Sequence, residues 1–134
     1  MTEDVAQSTL YARLGGQAGL AAFLKSFYAD VLQHQVIGPI FETRIQDWGS
    51  HLMKIGEFWA LQTGGPSQYA GGFGRVHIPL GLTSEHFEHW LGLWELNCRR
   101  QLAAREAAEM ILLAHEFGRR LRALTAGRSG LSVG

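Results

Sequence analysis

A histidine set in glycine-rich sequence is the residue of this chain whose surroundings point most directly to holding a metal. His77 ends the run Tyr69-Ala-Gly-Gly-Phe-Gly-Arg-Val-His77, and Phe73, Val76 and Ile78 flank it. Neutral imidazole offers one lone pair, which suits iron or zinc. Loop-like backbone can bring such a side chain up to a cofactor. Around it the chain places seven Phe, four Trp and three Tyr in 134 residues. Upstream lie Phe27-Tyr28, Phe41, Trp48, His51 and Phe58-Trp59; downstream lies Phe87-Glu88-His89-Trp90. That pattern suggests a flat apolar ligand held by one nitrogen, with a few polar tips on the opposite side. A lone histidine is more often structural, and from local sequence alone that reading stands beside ligation.

Other candidates for chemistry are weighed in the same way. His51, Ile55, Phe58 and Trp59 share one face at helical spacing, so His51 would suit the far wall of a narrow cavity or be a satisfied, partly buried histidine. Tyr28 beside Phe27 either caps a hydrogen bond in the core or presents its O–H to a ligand, and the Trp90 indole N–H has the same two readings. Glu85, His86, Glu88 and His89 look like a ligand cluster. However, the chain contains neither Glu-x-x-His nor His-Glu-x-x-His, the patterns of di-iron bundles and zinc proteases. A solvated helix face is the better reading of those four.

Composition bounds the function classes. A mass of 14.8 kDa allows one domain. Lys plus Arg and Asp plus Glu number 12 each, giving zero formal charge. No whole-chain electrostatic argument therefore favours nucleic acid or an acidic membrane. Arg99, Arg100, Arg105, Arg119, Arg120 and Arg122 gather late, but Glu106, Glu109 and Glu116 interleave with them, as on a solvated helix face. Cys98 stands alone, which excludes an internal disulfide and haem attachment through Cys-x-x-Cys-His. The opening Met-Thr-Glu-Asp-Val has no export signal, and no apolar run reaches the ~18 residues of a membrane span. The expectation is a cytoplasmic protein.

The elements that must position these residues are helical throughout. Apolar spacing predicts helices over about Ser8–Leu14, Ala18–His34, Gln46–Thr63, from Thr83-Ser84-Glu85 through Cys98, and over Arg105–Leu124. Gly15-Gly16 is expected to break the chain, Gly38-Pro39 to turn it before Ile40-Phe41, Asp47 to cap a helix and Gly64-Gly65-Pro66 to stop it. A loop with one short helix near Arg75 is expected up to Leu82. Residues 125–134 read as a flexible tail. The fold class is all-α, one domain over 1–134 with its core at about 8–124.

Taken in order, several short motifs resemble the truncated haemoglobins, the two-over-two version of the globin helical sandwich around haem. They are Phe27-Tyr28-Ala-Asp-Val31, Gly38-Pro-Ile-Phe41, Trp48-Gly-Ser-His51, Ile55-Gly-Glu-Phe58-Trp59, Tyr69-Ala-Gly71, His77-Ile-Pro-Leu80 and Phe87-Glu-His-Trp90. The resemblance runs from about Leu10 to Leu124 and is closest to the third group. Leu10-Tyr-Ala-Arg-Leu-Gly-Gly16 departs from that group, resembling the opening of the first and second. The resemblance implies haem b, held non-covalently, with His77 as the iron ligand. It implies that Tyr28, His51 and Trp90 stabilise the bound ligand, and that Phe41 wedges against the porphyrin. Ile55, Phe58, Trp59, Phe73, Ile78 and Phe87 would form pocket wall, with Lys54 and Arg75 as propionate contacts.

What this implies for function is binding of O2, NO, CO or other small haem ligands under strong hydrogen bonding. Slow ligand release fits NO dioxygenation, peroxidase-like turnover or sensing better than bulk transport, and catalysis would need a reductase. An alternative is a six-coordinate protein with His77 and His51 both on iron, suited to electron transfer or gated sensing. A further alternative is a haem-free helical interaction module.

Overall fold

The structure, a computed structural model, describes residues 8–71 and 83–133, with side chains described as far as residue 123. Its helices are α1 (Leu10–Arg13), α2 (Gly16–Gln33), α3 (Gly38–Arg44), α4 (Trp48–Thr63), α5 (Ser84–Gln101) and α6 (Ala104–Val133). No strand occurs among the described residues. His77, Phe73, Arg75 and Ile78, and the short helix expected near Arg75, lie outside them.

Helix boundaries follow local chemistry. Thr9 begins α1 by accepting the Ala12 N–H at 3.0 Å. The expected break falls at Gly15, whose φ of 100° suits a residue without Cβ. Asp47 caps α4 by accepting the Ser50 N–H at 3.1 Å, and Gly64 closes that helix in the left-handed region. A capping box opens α5: the Thr83 hydroxyl accepts the His86 N–H at 3.2 Å, while His86 Nδ1 accepts the Thr83 N–H at 3.0 Å.

Two expectations change. Gly38-Pro39 does more than turn the chain, because it begins α3 with proline in the first helical turn. Proline has no N–H to lose there, and its fixed φ already matches a helix. The turn into α3 is held by His34, whose Nδ1 accepts the N–H groups of Val36 and Ile37 at 3.1 and 3.3 Å. The last helix continues past the predicted end at Leu124 to Val133.

Two helix pairs form the body. α2 packs on α4, α5 packs on α6, and α2 also lies against α5, while α1 and α3 flank α2. Their shared core contains Leu24, Phe27, Val31, Trp94, Met110 and Ala114, all essentially inaccessible to water. Each large side chain buried this way contributes ~1.5–3 kcal/mol. Asn97, the buried amide at the α2–α5 contact, is satisfied. It donates to Asp30 Oδ2 and to the Leu93 carbonyl, both at 3.0 Å, and accepts from Gln101 at 2.8 Å.

An ion-pair cluster ties the start of the chain to α6. Arg13 Nη1 donates to Glu106 and Glu109, each at 2.7 Å, and Nη2 donates to the other Glu109 oxygen at 2.9 Å. Glu106 is only 15% exposed, so the reading of the α6 charges as a solvated face fails here; Arg99, Arg105 and Arg119 do face water. The Arg13 hydrogen bonds hold the Glu109 carboxyl below the ordinary carboxylate range. A lowered folded-state pKa adds stability above the ordinary pKa, and that stability is lost as pH falls through the lowered value. Thermal melts of wild type and Glu109→Gln should therefore differ at neutral pH and converge in acid. A gap in Tm that stays constant on acidification would contradict this sign.

Candidate functional site

One cavity gathers most of the polar and aromatic residues singled out in the sequence. It has a volume of about 670 Å3, within the ~300–1,000 Å3 usual for small-molecule sites. α2 contributes Tyr28, α3 Phe41 and Arg44, and α4 His51, Lys54, Ile55, Phe58 and Trp59. α5 contributes His86, Phe87 and Trp90, and α6 contributes Phe117, Gly118 and Leu121. Tyr28, His51, Trp90, Phe41, Lys54, Ile55, Phe58, Trp59 and Phe87 thus meet around one space, although they come from four helices. Trp48, from the same motif as His51, stands behind it with ring centroids 5.3 Å apart.

At the buried end sits Tyr28, 6% exposed. Its ring packs on Phe27 at 4.7 Å and faces Phe41, Trp48 and His51 at 5.9, 6.1 and 6.2 Å. Burial pushes its phenol pKa up strongly, while a hydrogen bond with the Trp90 side chain lowers it in part. Indole has only a donor, so Trp90 gives its N–H to the Tyr28 oxygen. The phenol therefore stays protonated and keeps its own O–H for another acceptor. A neutral donor rooted in an aromatic wall can polarise a small ligand without adding charge to the cavity.

The remaining wall is mostly apolar, with Ile37, Ile40 and Ile45 added to the aromatics; Glu57, Gln68 and the exposed Arg44 and Lys54 are polar residues of the lining. Tyr69 also lines it, and its phenolic oxygen is buried without a hydrogen-bond partner among the described residues. Leaving such a group unpaired costs ~1–3 kcal/mol, so a ligand bringing an acceptor is favoured there. Sequence reasoning did not assign Arg44, Tyr69, Phe117, Gly118 or Leu121 to a site. Phe117 and Leu121 were visible as a buried stripe, but a stripe does not name what it faces.

The Glu85–His89 cluster does not assemble into a metal site. His86 is used in the capping box, and His89 lies 3.6 Å from Glu85. Among the described residues no group of three or more His, Cys, Asp or Glu is arranged to hold a metal. Cys98 is fully buried in the core, where burial pushes its thiol up to about 12, and it does not line the cavity. No helix among the described residues is long and apolar enough to cross a membrane.

Two stacked helix pairs closing on an aromatic cavity define a two-over-two globin. The sequence agrees: a profile of bacterial-like globins matches residues 9–114, and the chain belongs to that family. It is 36% identical over 84 residues to a group 3 truncated hemoglobin of Campylobacter jejuni, covering 59% of this chain and 66% of that one. Similarity to a group 1 truncated hemoglobin of Mycolicibacterium paratuberculosis is 29% over 85 residues, covering 60% and 58%. The matched stretches thus span less than two thirds of these relatives' lengths.

Solved structures extend the likeness. The crystal structure of a group III truncated hemoglobin from Campylobacter jejuni aligns with a TM-score of 0.76 at 28% identity, covering 82% of this chain and 91% of that one. A 2/2 hemoglobin from Synechococcus sp. PCC 7002, solved with covalently attached heme, aligns with a TM-score of 0.75 at 20% identity, covering 88% and 98%. Membership of the globins implies haem-based binding of small ligands. The resemblance to group III is shared by sequence and structure, while the group 1 match accords with the Gly15-Gly16 opening.

Proposed function

We propose that this globin holds haem b non-covalently in the aromatic cavity, with His77 as the residue that would hold its iron, and uses it to capture O2 or NO for chemistry rather than transport. The observation that carries this reading is Tyr28: a buried, protonated phenol braced by Trp90 in a predominantly apolar cavity of suitable size. The residues present fit the group. Phe41, Ile55, Phe58 and Phe87 offer flat apolar walls, and the unpaired Tyr69 hydroxyl offers a donor for an acidic edge group. Lys54 offers a cation for a propionate, and Arg44 a second; Arg75 carries the same proposal from sequence. Cys98 does not line the cavity, so it offers no thiol there for a covalent link.

When bound, haem supplies the iron at which a diatomic ligand is held and its electrons rearranged. The chain's own part is to fix donors beside that ligand. With haem bound, the Tyr28 O–H would be available to donate to the held ligand, Trp90 would orient Tyr28, and the apolar part of the wall would exclude water. A hydrogen bond to a charged group is worth ~1.5–3 kcal/mol, or about 10- to 100-fold in residence. Tyr28→Phe should therefore speed O2 dissociation by about 10- to 100-fold, read by stopped-flow displacement with CO. An unchanged rate would remove Tyr28 from the role.

Slow release fits NO dioxygenation or peroxidase-like turnover, with electrons from a reductase, in the cytoplasm. Spectra of the haem-supplemented chain, ferric and dithionite-reduced, with and without CO, test the cofactor. A Soret band that shifts with CO and is lost in His77→Ala is expected; no Soret band would favour a haem-free module. His51 on the cavity wall keeps open a second, six-coordinate reading. A low-spin ferrous spectrum abolished by His51→Ala would establish it.

A further inference from the structure

Three of the four tryptophans form one continuous stack beside the cavity. Trp94 lies in the middle, with Trp59 at 4.5 Å and 25° on one side and Trp90 at 5.0 Å and 15° on the other. The outer two line the cavity, whereas Trp94 is wholly buried. The Trp94 N–H donates to the Met110 carbonyl at 3.0 Å. Trp48, the fourth, is apart from the stack and packs on Tyr28 and His51.

This arrangement favours loss of an electron from the central indole. The π faces of its neighbours are electron-rich, so a positive charge on Trp94 would be held between two attractive faces. A carbonyl accepting its N–H adds electron density and, being no base, leaves the proton in place. Tyr28 is the competing donor, but a phenol must shed its proton as it loses an electron. Burial opposes that, since Tyr28 is held strongly to its protonated form.

We infer that the Trp59–Trp94–Trp90 stack is a one-electron donor to an oxidant bound in the cavity, with Trp94 as the resting place of the resulting radical cation. The inference rests on the haem reading above, and hydrogen peroxide is the oxidant. Its O–O bond breaks as it takes up two electrons and two protons, and it leaves as two waters. With haem bound, that group would supply one electron and the stack the other, while the protons come from solvent. Two equivalents of a one-electron reductant, ascorbate in the test, restore both donors. The stack thereby allows a two-electron oxidant to be consumed while the cofactor itself supplies a single electron.

Freeze-quenched EPR of the ferric, haem-loaded chain after mixing with peroxide tests this. The expected result is an organic radical whose spectrum narrows on indole deuteration, decays with ascorbate, disappears in Trp94→Phe and persists in Trp48→Phe. A signal insensitive to indole deuteration, or one that survives Trp94→Phe, overturns the inference. If Trp94→Phe does not fold, fluorinated tryptophan in the wild-type chain raises the oxidation potential and keeps the rings in place. Undiminished radical yield in that sample overturns it equally. A Soret band without a stack radical defeats this inference alone, whereas no Soret band defeats the haem reading and this inference together.

Discussion

Trp94→Ala should lower stability by about 3–5 kcal/mol, the range for removing a large aromatic from a packed core. Trp94 is 0% exposed and is touched from every side. Trp59 and Trp90 stack on its faces, and Phe23 and Phe27 meet it edge-on at 5.1 and 4.9 Å. Its N–H also joins α5 to α6 through Met110. Alanine would leave a void shared by α2, α4, α5 and α6, too broad for one side chain to refill. A domain of this size has ~5–15 kcal/mol in all, so the variant would sit at the edge of unfolding. Trp94→Phe, which keeps a ring in place, should cost distinctly less. Urea titrations of the three proteins decide the matter, and a loss under about 1 kcal/mol for Trp94→Ala would mean that this centre is not the keystone of the packing.

Gly19→Ala is expected to destabilise although alanine is the better helix former. Propensity alone favours the substitution by ~0.5–1 kcal/mol. A Cβ at Gly19, however, would clash with the Leu14 carbonyl oxygen and lie 2.9 Å from its carbon. Those are backbone atoms, so relief requires α1 to move off α2. Overpacking of this kind costs ~1–3 kcal/mol or more, and it outweighs propensity. The shift would also disturb Arg13, one residue before Leu14, and its contacts with Glu106 and Glu109. Gly92→Ala is the control. It is exposed within α5 and its Cβ would meet nothing within 4 Å, so it should gain the ~0.5–1 kcal/mol that Gly19 cannot. Equal shifts in Tm for the two variants would show that chain propensity, not the close approach, governs Gly19.

What could be read in advance was local. Asp47, Gly64 and Thr83 mark helix ends through bonds to residues within a few positions, so the capping chemistry is written in short stretches. The buried faces of α2, α4 and α5 followed from spacing in the same way. Gly38-Pro39 misled because glycine followed by proline suits a turn and a helix start equally, and His34 accepting the next N–H groups settles which forms. His86 likewise offered a ligand, but the capping box engages it. The aromatic motifs carried the resemblance that pointed to a globin, because their order along the chain survives without knowledge of contacts.

By itself, the sequence determined the all-α class, the faces each helix buries and the residues able to bind or donate, since periodicity and capping act within a segment. Only the tertiary structure decided that Tyr69, Phe117 and Leu121 share a cavity with Tyr28, that Arg13 reaches α6, and that Trp94 lies between two other indoles. Burial of apolar surface has no direction: a stripe says that a face must be covered, and only the packed helices say by what.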